Sequence, residues 1–110
     1  MASQVIAILL THWLADFVFQ TKWMAENKSK SIWPLTFHCV VYGLILFLGT
    51  FTFASAQWVL INTVLHFSID ALTSKLNAYF WERGNSRAFF ISVGFDQFLH
   101  SFFLISTMGI

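Results

Sequence analysis

Four long apolar stretches, separated by short polar breaks, constrain the fold of this chain more than any other feature. They cover about residues 4–20, 33–54, 58–79 and 88–109, and a helix needs roughly 20 apolar residues to cross a bilayer. The chain is 57% hydrophobic and only 10% charged, whereas soluble domains carry about 25% charged residues. We therefore predict an all-α polytopic membrane protein, with residues 1–110 forming one domain of four transmembrane helices packed as a bundle.

The composition also excludes several classes of protein. The net charge of +1 provides no basic face for nucleic acid, so no nucleic-acid partner is expected. Cys39 is the only cysteine, which rules out a disulfide scaffold. The high hydrophobic content is the opposite of the composition that keeps chains disordered.

The basic residues predict the orientation of the bundle. All six lie in or beside two of the three breaks. Lys22, Lys28 and Lys30 lie between the first and second apolar stretches, and Lys75, Arg83 and Arg87 lie around the break between the third and fourth. Basic loops stay on the cytoplasmic side of a membrane. We therefore expect both of these breaks in the cytoplasm and both chain termini outside.

Charged and ionisable residues lie inside the apolar stretches, where they are costly. Three of the five acidic residues and all four histidines are there: His12, Asp16, His38, His66, Asp70, Asp96 and His100. One charged group at the bilayer centre costs about 2.5–3.5 kcal/mol, so three unpaired aspartates would cost on the order of 8–10 kcal/mol. These side chains must therefore face each other, a cation or water.

The spacing of these residues indicates one shared site. Three pairs lie four residues apart: His12 with Asp16, His66 with Asp70, and Asp96 with His100. Residues at i and i+4 share one face of a helix, so each of three helices presents a His/Asp stripe, and the second helix adds His38. A bundle with its polar stripes turned inward would bring the groups together in the cytoplasmic half.

Four imidazoles and three carboxylates suit a divalent transition metal, with zinc or manganese as the expected cofactor. All seven residues are candidate ligands, and Asp16, Asp70 and Asp96 are also candidate catalytic bases. The same pairs fit a second arrangement, in which a carboxylate orients an imidazole instead of binding metal. His38, which has no Asp at helical spacing and only Tyr42 one turn along, also fits a simple hydrogen bond between helices.

Two lysines suggest a membrane lipid as the partner of this site. Lys22 and Lys75 each follow a His/Asp pair and fall at the predicted cytoplasmic interface. Lysines there are commonly ordinary interfacial residues, but they can also bind a lipid phosphate. We therefore predict that they bind the head group of a lipid-phosphate substrate.

The motifs resemble those of an uncharacterised family of small bacterial and phage integral-membrane proteins, known as a domain of unknown function. The similar pattern is His-x3-Asp-Phe-x2-Gln from His12, a mid-chain His38, His-x3-Asp from His66, and Asp-Gln-x2-His from Asp96. It extends over nearly the whole chain. The resemblance implies a multi-pass protein of the bacterial inner membrane and a shared polar site, and it implies no activity.

The leading functional hypothesis is a metal-dependent hydrolase that acts on a lipid-linked ester or phosphoester. A proton or metal-ion transporter or channel, working as a homo-oligomer, would use the same His/Asp cluster. A phage-type membrane effector without catalysis is the third hypothesis. Residues such as Leu9 and Leu46 leave the outer half apolar, which favours a closed pocket over a pore.

Overall fold

The computed structural model describes all 110 residues and contains only helices, which confirms the all-α prediction. Its elements are α1 (Ala2–Trp13), a π-helical turn (Leu14–Val18), α2 (Lys22–Asn27), α3 (Ile32–Thr50), α4 (Ala56–Glu82) and α5 (Ser86–Ser106). The sequence predicted four helices, and the structure has five. The additional helix, α2, is short and lies in the first polar break, where apolar length gives no signal.

Local side chains fix where the helices begin and where α4 ends. The hydroxyls of Thr21, Ser31 and Ser55 accept hydrogen bonds from backbone N–H groups in the first turns of α2, α3 and α4, as N-cap residues do. Gly84 follows α4 with a φ of 69°. Its N–H donates to the carbonyl of Trp81, and the next N–H donates to that of Phe80, which completes a Schellman motif.

The four long helices pack side by side, with α3 against α1 and α4, and α4 against α5. The contact between α1 and α5 is the sparsest of the pairs, and α2 lies against α3. Met1, Ile110 and the α3–α4 link line one cavity, so both termini share one end of the bundle. The two basic breaks lie towards the other end.

Two helices, α3 and α5, are long and apolar enough to cross a membrane. The segment 2–18 is apolar but shorter, and α4 does not reach the same mean hydropathy. By this criterion the prediction of four transmembrane helices is not supported. The reason in α4 is its content of polar residues, including Asn62, His66 and Asp70, all of which are buried inside the bundle.

Polarity is distributed inside out compared with a soluble protein. Thirteen of the 25 buried residues are polar or charged, while 29 large hydrophobic residues are exposed. Seven of the 11 buried hydrophobic residues form one cluster, which we call the apolar core: Ile8, Ala15, Tyr42, Leu46, Trp58, Val59 and Leu104. The Trp58 indole N–H donates to the Leu104 carbonyl, 3.3 Å away.

Two glycines of α3 allow its neighbours to approach closely. A Cβ at Gly43 would lie 2.8 Å from Oγ1 of Thr63 on α4, and a Cβ at Gly49 would overlap the side chain of Thr11 on α1. Small residues that let backbones approach are typical of helix contacts in membranes. These contacts set the spacing of α1, α3 and α4 around the buried polar residues.

Candidate metal centre

The fold brings all seven predicted ligands into one buried cluster. They come from α1 and the π-helical turn, α3, α4 and α5, and none is more than 6% exposed. The set is His12, Asp16, His38, His66, Asp70, Asp96 and His100. The i, i+4 spacing therefore identified residues that share one location, although not all of them belong to a group that could hold a metal ion.

The π-helical turn carries Asp16 into the cluster. The Phe19 N–H donates to the Leu14 carbonyl five residues earlier, at 2.9 Å, instead of to the residue four earlier. Such turns are rare and occur frequently at functional sites. A 3.6-residue pattern cannot predict this turn, because it depends on which backbone bonds the folded helix adopts.

Four of the residues, Asp16, His38, His66 and Asp70, form what we call the central quartet. Nε2 of His38 lies 3.0 Å from Oδ1 of Asp16, 3.0 Å from Nε2 of His66 and 3.3 Å from Oδ2 of Asp70. Nε2 of His66 lies 3.4 Å from Oδ1 of Asp16 and 3.2 Å from Oδ2 of Asp70. Two imidazole nitrogens and two carboxylate oxygens thus converge on one point.

These separations are slightly shorter than those of a tetrahedral metal site. Zinc binds histidine nitrogen and carboxylate oxygen at about 2.0–2.2 Å, which places neighbouring ligands of a tetrahedron about 3.3–3.6 Å apart. These five separations in the quartet run from 3.0 to 3.4 Å. A small outward movement of the side chains would therefore admit an ion with two nitrogen and two oxygen ligands.

Aromatic stacking holds the imidazoles of the centre in place. The Tyr42 ring stacks on His66 with centroids 3.8 Å apart, and His66 stacks on His100 at 4.1 Å. The Nδ1 atoms of His38 and His66 are buried and have no hydrogen-bond partner. Packing, rather than a hydrogen bond to the far nitrogen, therefore sets the orientation of these two rings.

A second group of potential ligands lies beside the quartet and shares Asp16 with it. Asp16, Asp96 and His100 each offer one atom within 4.8 Å of the others. Nε2 of His100 lies 3.2 Å from Oδ1 of Asp96 and 3.1 Å from Oδ1 of Asp70. The Thr73 hydroxyl is hydrogen-bonded to the same Asp96 oxygen.

His12 belongs to neither group, because both of its ring nitrogens have other partners. Nδ1 lies 2.8 Å from the Tyr42 hydroxyl, and Nε2 lies 2.8 Å from Oε1 of Gln97. Gln97 Nε2 donates to Oδ2 of Asp16 and Oδ2 of Asp96, both at 2.9 Å. Since carboxylates only accept, the amide orientation is fixed, and a neutral His12 must donate from Nε2 and accept from Tyr42.

Lys28 is the contact that sequence reasoning missed. Its Nζ lies 3.3 Å from Oδ2 of Asp70, and its side chain is only 17% exposed. Burial lowers the pKa of Lys28, but the carboxylates of Asp70, Asp16 and Asp96 together raise it by more. The pKa of Lys28 therefore lies above its ordinary value. The sequence gives no signal that separates Lys28 from the other lysines of the break.

The charges of the cluster complement a divalent cation. Asp16, Asp70 and Asp96 contribute three negative charges when ionised, and Lys28 contributes one positive charge, so the neutral-imidazole form carries a net charge of −2. Uncompensated buried charge is strongly unfavourable. One divalent ion, or two protons on imidazoles, would neutralise the centre.

The two lysines predicted to bind a head group lie outside the cluster. The Lys22 side chain is 86% exposed and pairs with Glu26 at 3.8 Å. Lys75 is exposed and borders a cleft of about 280 Å³, together with Lys28 and Lys30. Neither residue contacts an imidazole or aspartate of the centre, whereas Lys28 does.

A cavity of about 690 Å³ connects the centre to the basic end of the bundle. Asp16, Asp96 and Gln97 line it on the side of the centre, and Lys28 and Lys30 line it near the α2–α3 link. Its wall is amphipathic. The apolar part comes from side chains of the π-helical turn, α2, α4 and α5: Phe17, Ala25, Ala78, Trp81, Phe89, Phe90 and Val93.

The fold and the site define a helical bundle with a buried His/Asp centre, in which two groups of side chains could hold a metal ion. Residues 5–109 match the family described as "Protein of unknown function (DUF3307)". The chain belongs to this family, which confirms the resemblance to a domain of unknown function. No curated protein and no solved structure matches the chain.

Proposed function

We propose that this protein is a membrane-embedded, metal-dependent hydrolase that cleaves a lipid-linked phosphoester or ester. The observation that carries the proposal is the convergence of two imidazole nitrogens and two carboxylate oxygens in the central quartet, at separations of 3.0–3.4 Å. A bound divalent ion would polarise the substrate oxygen and make a bound water more acidic.

The membrane location rests on the inverted distribution of polarity. In addition to α3 and α5, which are long and apolar enough to cross a bilayer, we propose that α4 and the segment 2–18 span it. Mean hydropathy counts an inward-facing Asp70 like an outward-facing one, yet Asp70 is only 1% exposed, while Leu72 beside it is 76% exposed. The basic breaks favour a bacterial inner membrane, with both termini outside.

The two aspartates beside Gln97 are suited to accept the proton of the attacking water. In Asp16, Oδ1 faces the imidazoles of the quartet, whereas Oδ2 faces the Gln97 amide. Oδ2 of Asp96 faces the same amide, and both residues line the cavity. Water would form the new bond to phosphorus or carbon, the ester bond would break, and the proton would pass through a carboxylate to the leaving oxygen.

His12 and Tyr42 are positioning residues in this proposal. The Tyr42 hydroxyl donates to His12, and His12 donates to the Gln97 carbonyl oxygen. This chain of hydrogen bonds holds the Gln97 amide in the orientation that donates to both carboxylates. Such outer partners tune catalytic groups without touching substrate. Their removal should therefore alter the rate more than it alters the presence of the ion.

The cavity supports an anionic lipid as the substrate. Lys28 and Lys30 provide positive charge at the end of a cavity whose wall includes Phe17 and Phe90, which are 47% and 66% exposed. The π-helical turn and α5 both line this cavity through Phe17 and Phe90, and we propose that an acyl chain enters between these two elements from the bilayer. We propose that Lys28, rather than Lys22 or Lys75, binds the phosphate closest to the centre.

The transporter alternative requires a path through the bundle, and the packing argues against one. Beyond the centre lies the apolar core, where Leu46 is 0%, Ile8 and Leu104 are 1%, and Trp58 is 2% exposed. These side chains pack together as one apolar cluster. A cavity that ends at the His/Asp centre favours chemistry over conduction.

The test is hydrolysis of phosphatidic acid in mixed micelles by detergent-purified protein, with release of inorganic phosphate as the readout. We expect activity that a chelator abolishes and that Zn²⁺ or Mn²⁺ restores. His66→Gln should reduce the activity by more than about 100-fold, because it removes a direct ligand. Asn62→Ala is the matched control, since Asn62 is buried one turn away on α4 and bonds to Trp58 and Thr107 instead.

A chelator-insensitive rate, or equal rates for His66→Gln and wild type, would contradict the proposal. An alkyl ester and a phosphodiester tested beside phosphatidic acid identify which ester class is cleaved. Failure to cleave any of these three classes by metal-loaded protein would overturn the hydrolase. Zn²⁺ or proton flux into liposomes under the same conditions would instead support the transporter.

A further inference from the structure

We propose that the centre holds two divalent ions, bridged by the carboxylate of Asp70. This inference rests on the metal site of the proposed function and goes beyond it, because the central quartet alone needs only one ion. The first ion would occupy the quartet. The second would lie between Asp70, Asp96 and His100, on the side of the centre that faces the cavity.

The two oxygens of Asp70 face different sets of partners. Oδ2 lies 3.3 Å from Nε2 of His38 and 3.2 Å from Nε2 of His66, within the quartet. Oδ1 lies 3.1 Å from Nε2 of His100, outside it. A carboxylate that presents one oxygen to each of two ligand groups is arranged as a bridge, as in sites where two ions lie about 3.5–4 Å apart.

The second group supplies its own donors. Nε2 of His100 lies 3.1 Å from Oδ1 of Asp70 and 3.2 Å from Oδ1 of Asp96, so each carboxylate presents one oxygen to this imidazole. An oxygen of Asp16 lies within 4.8 Å of the ligand atoms of Asp96 and His100. Two carboxylates, one imidazole and a nearby third carboxylate suit zinc or manganese with an open coordination position.

The charge count predicts the order in which the ions bind. One divalent ion neutralises the net charge of −2 that the three aspartates and Lys28 leave. A second ion raises the charge to +2, which burial disfavours unless an anion enters with it. A phosphate dianion would restore neutrality, so the second ion should bind more weakly than the first and more tightly when phosphate is present.

The position of Asp96 gives the second ion access to that phosphate. Asp96 lines the cavity together with Lys28, whereas His38 and His66 are 0% and 1% exposed and do not line it. A phosphate in the cavity would therefore reach the second ion beside Asp96, and Asp16 of the quartet lines the same cavity. Two-metal sites commonly bind a phosphoryl group between the ions.

The test is titration of detergent-purified, metal-free protein with Mn²⁺, followed by electron paramagnetic resonance, without and then with inorganic phosphate. We expect two Mn²⁺ ions per chain with a spin-coupled signal, and at least about a fivefold tighter second site in phosphate. His100→Gln and, independently, Asp96→Asn should bind one uncoupled ion. Ser92→Ala is the matched control, because Ser92 is buried one turn away on α5 and its hydroxyl has no partner.

The outcomes separate the two proposals. One ion per chain in wild type, lost in His38→Gln and retained in His100→Gln, would overturn the second ion and leave the first. Two ions without spin coupling would overturn the Asp70 bridge. No bound Mn²⁺ or Zn²⁺ in folded protein would overturn both proposals, and phosphate-independent binding of the second ion would contradict the charge argument.

Discussion

The same four long helices build two very different halves of this molecule. Towards the basic end they enclose aspartates and histidines, and towards the termini they enclose the apolar core. On α3, His38 and Leu46 are eight residues apart and both are 0% exposed, yet one contacts charged groups and the other contacts hydrocarbon. Depth of burial therefore does not distinguish the halves, and the kind of partner does.

This contrast predicts that stability and the proposed ion binding depend on different halves of the bundle. In the apolar half, close packing stabilises the fold, because a buried side chain makes many weak contacts. In the polar half, paired charges offset a cost of burial and add little net stability. Substitutions in the first half should therefore lower the free energy of unfolding, and substitutions in the second should lower metal affinity and activity.

The largest expected effect comes from removing both imidazoles of the central quartet. His38→Gln/His66→Gln should reduce metal affinity by at least about 10³-fold, since loss of even an outer partner costs about 10–100-fold. Isothermal titration with Zn²⁺ measures this change. Helix content by circular dichroism should stay at the wild-type level. Unchanged Zn²⁺ affinity in the folded variant would show that the two imidazoles of the quartet do not bind the ion.

The counterpart in the apolar half is Trp58→Ala. Trp58 is 2% exposed and bonds to the Leu104 carbonyl, so its loss should cost about 3–5 kcal/mol of unfolding free energy. Denaturation in mixed micelles gives this value. The folded fraction should bind as much Zn²⁺ as wild type, and a lower metal content per folded chain would show that the halves are not separable.

A smaller effect is expected from a residue that orients the carboxylates of the polar half without binding the ion. Gln97→Leu removes the amide that donates to Asp16 and Asp96, and the rate of hydrolysis should fall by about 10–100-fold. Steady-state kinetics should show the loss mainly in kcat. Gln57→Leu, at an exposed position, serves as a control for the change in polarity. Equal kcat values for Gln97→Leu and wild type would show that Gln97 does not position the two carboxylates.

Helix spacing provides a matched pair of glycine substitutions. Gly49→Ala would force a methyl group against Thr11 and should cost about 1–3 kcal/mol. Gly94→Ala meets nothing within 4 Å and should stabilise α5 by roughly 0.5–1 kcal/mol through helix propensity. Thermal unfolding compares the two variants, and equal effects would contradict the close approach of α1 and α3.

Among the variants of the polar half, the smallest effect is expected from Lys28→Met. Loss of the ammonium should tighten Zn²⁺ binding by several-fold and slow hydrolysis of phosphatidic acid by about tenfold, while a neutral ester is unaffected. Because the pKa of Lys28 is raised above its ordinary value, its stabilising charge is fully present at neutral pH and is lost only as the pH rises through that pKa. Lys22→Met, at an exposed position, is the control, and equal slowing of both substrates would exclude a phosphate contact.

Helical periodicity in the sequence predicted the contents of the site better than its geometry. The pairs at i and i+4, such as His66 and Asp70, do share a buried face, because that spacing follows directly from helix geometry. Which ring nitrogen faces which oxygen depends on packing between helices. His12 therefore shared the pattern of His66 but lies beside the centre, where it bonds to Tyr42 and Gln97.

Other features had no local signal at all. The π-helical turn that carries Asp16 depends on tertiary contacts, and the short helix α2 lies within a polar segment. The insertion of Lys28 towards Asp70 follows from the path of the α2–α3 link, across 42 residues of sequence. Composition and periodicity predict which face of a helix is polar. They do not predict which link between helices packs over that face.

The most direct test of the central claim is elemental analysis of protein purified from membranes in detergent without added metal. Wild type and Asp16→Ala/Asp70→Ala would be measured together, with Ser92→Ala as the folded control. We predict at least one zinc or manganese ion per chain in wild type and in Ser92→Ala, and less than a tenth of that amount, as roughly 100-fold weaker binding implies, in the double variant. Folded wild-type protein that contains no divalent metal, and that acquires none on supplementation, would contradict the account.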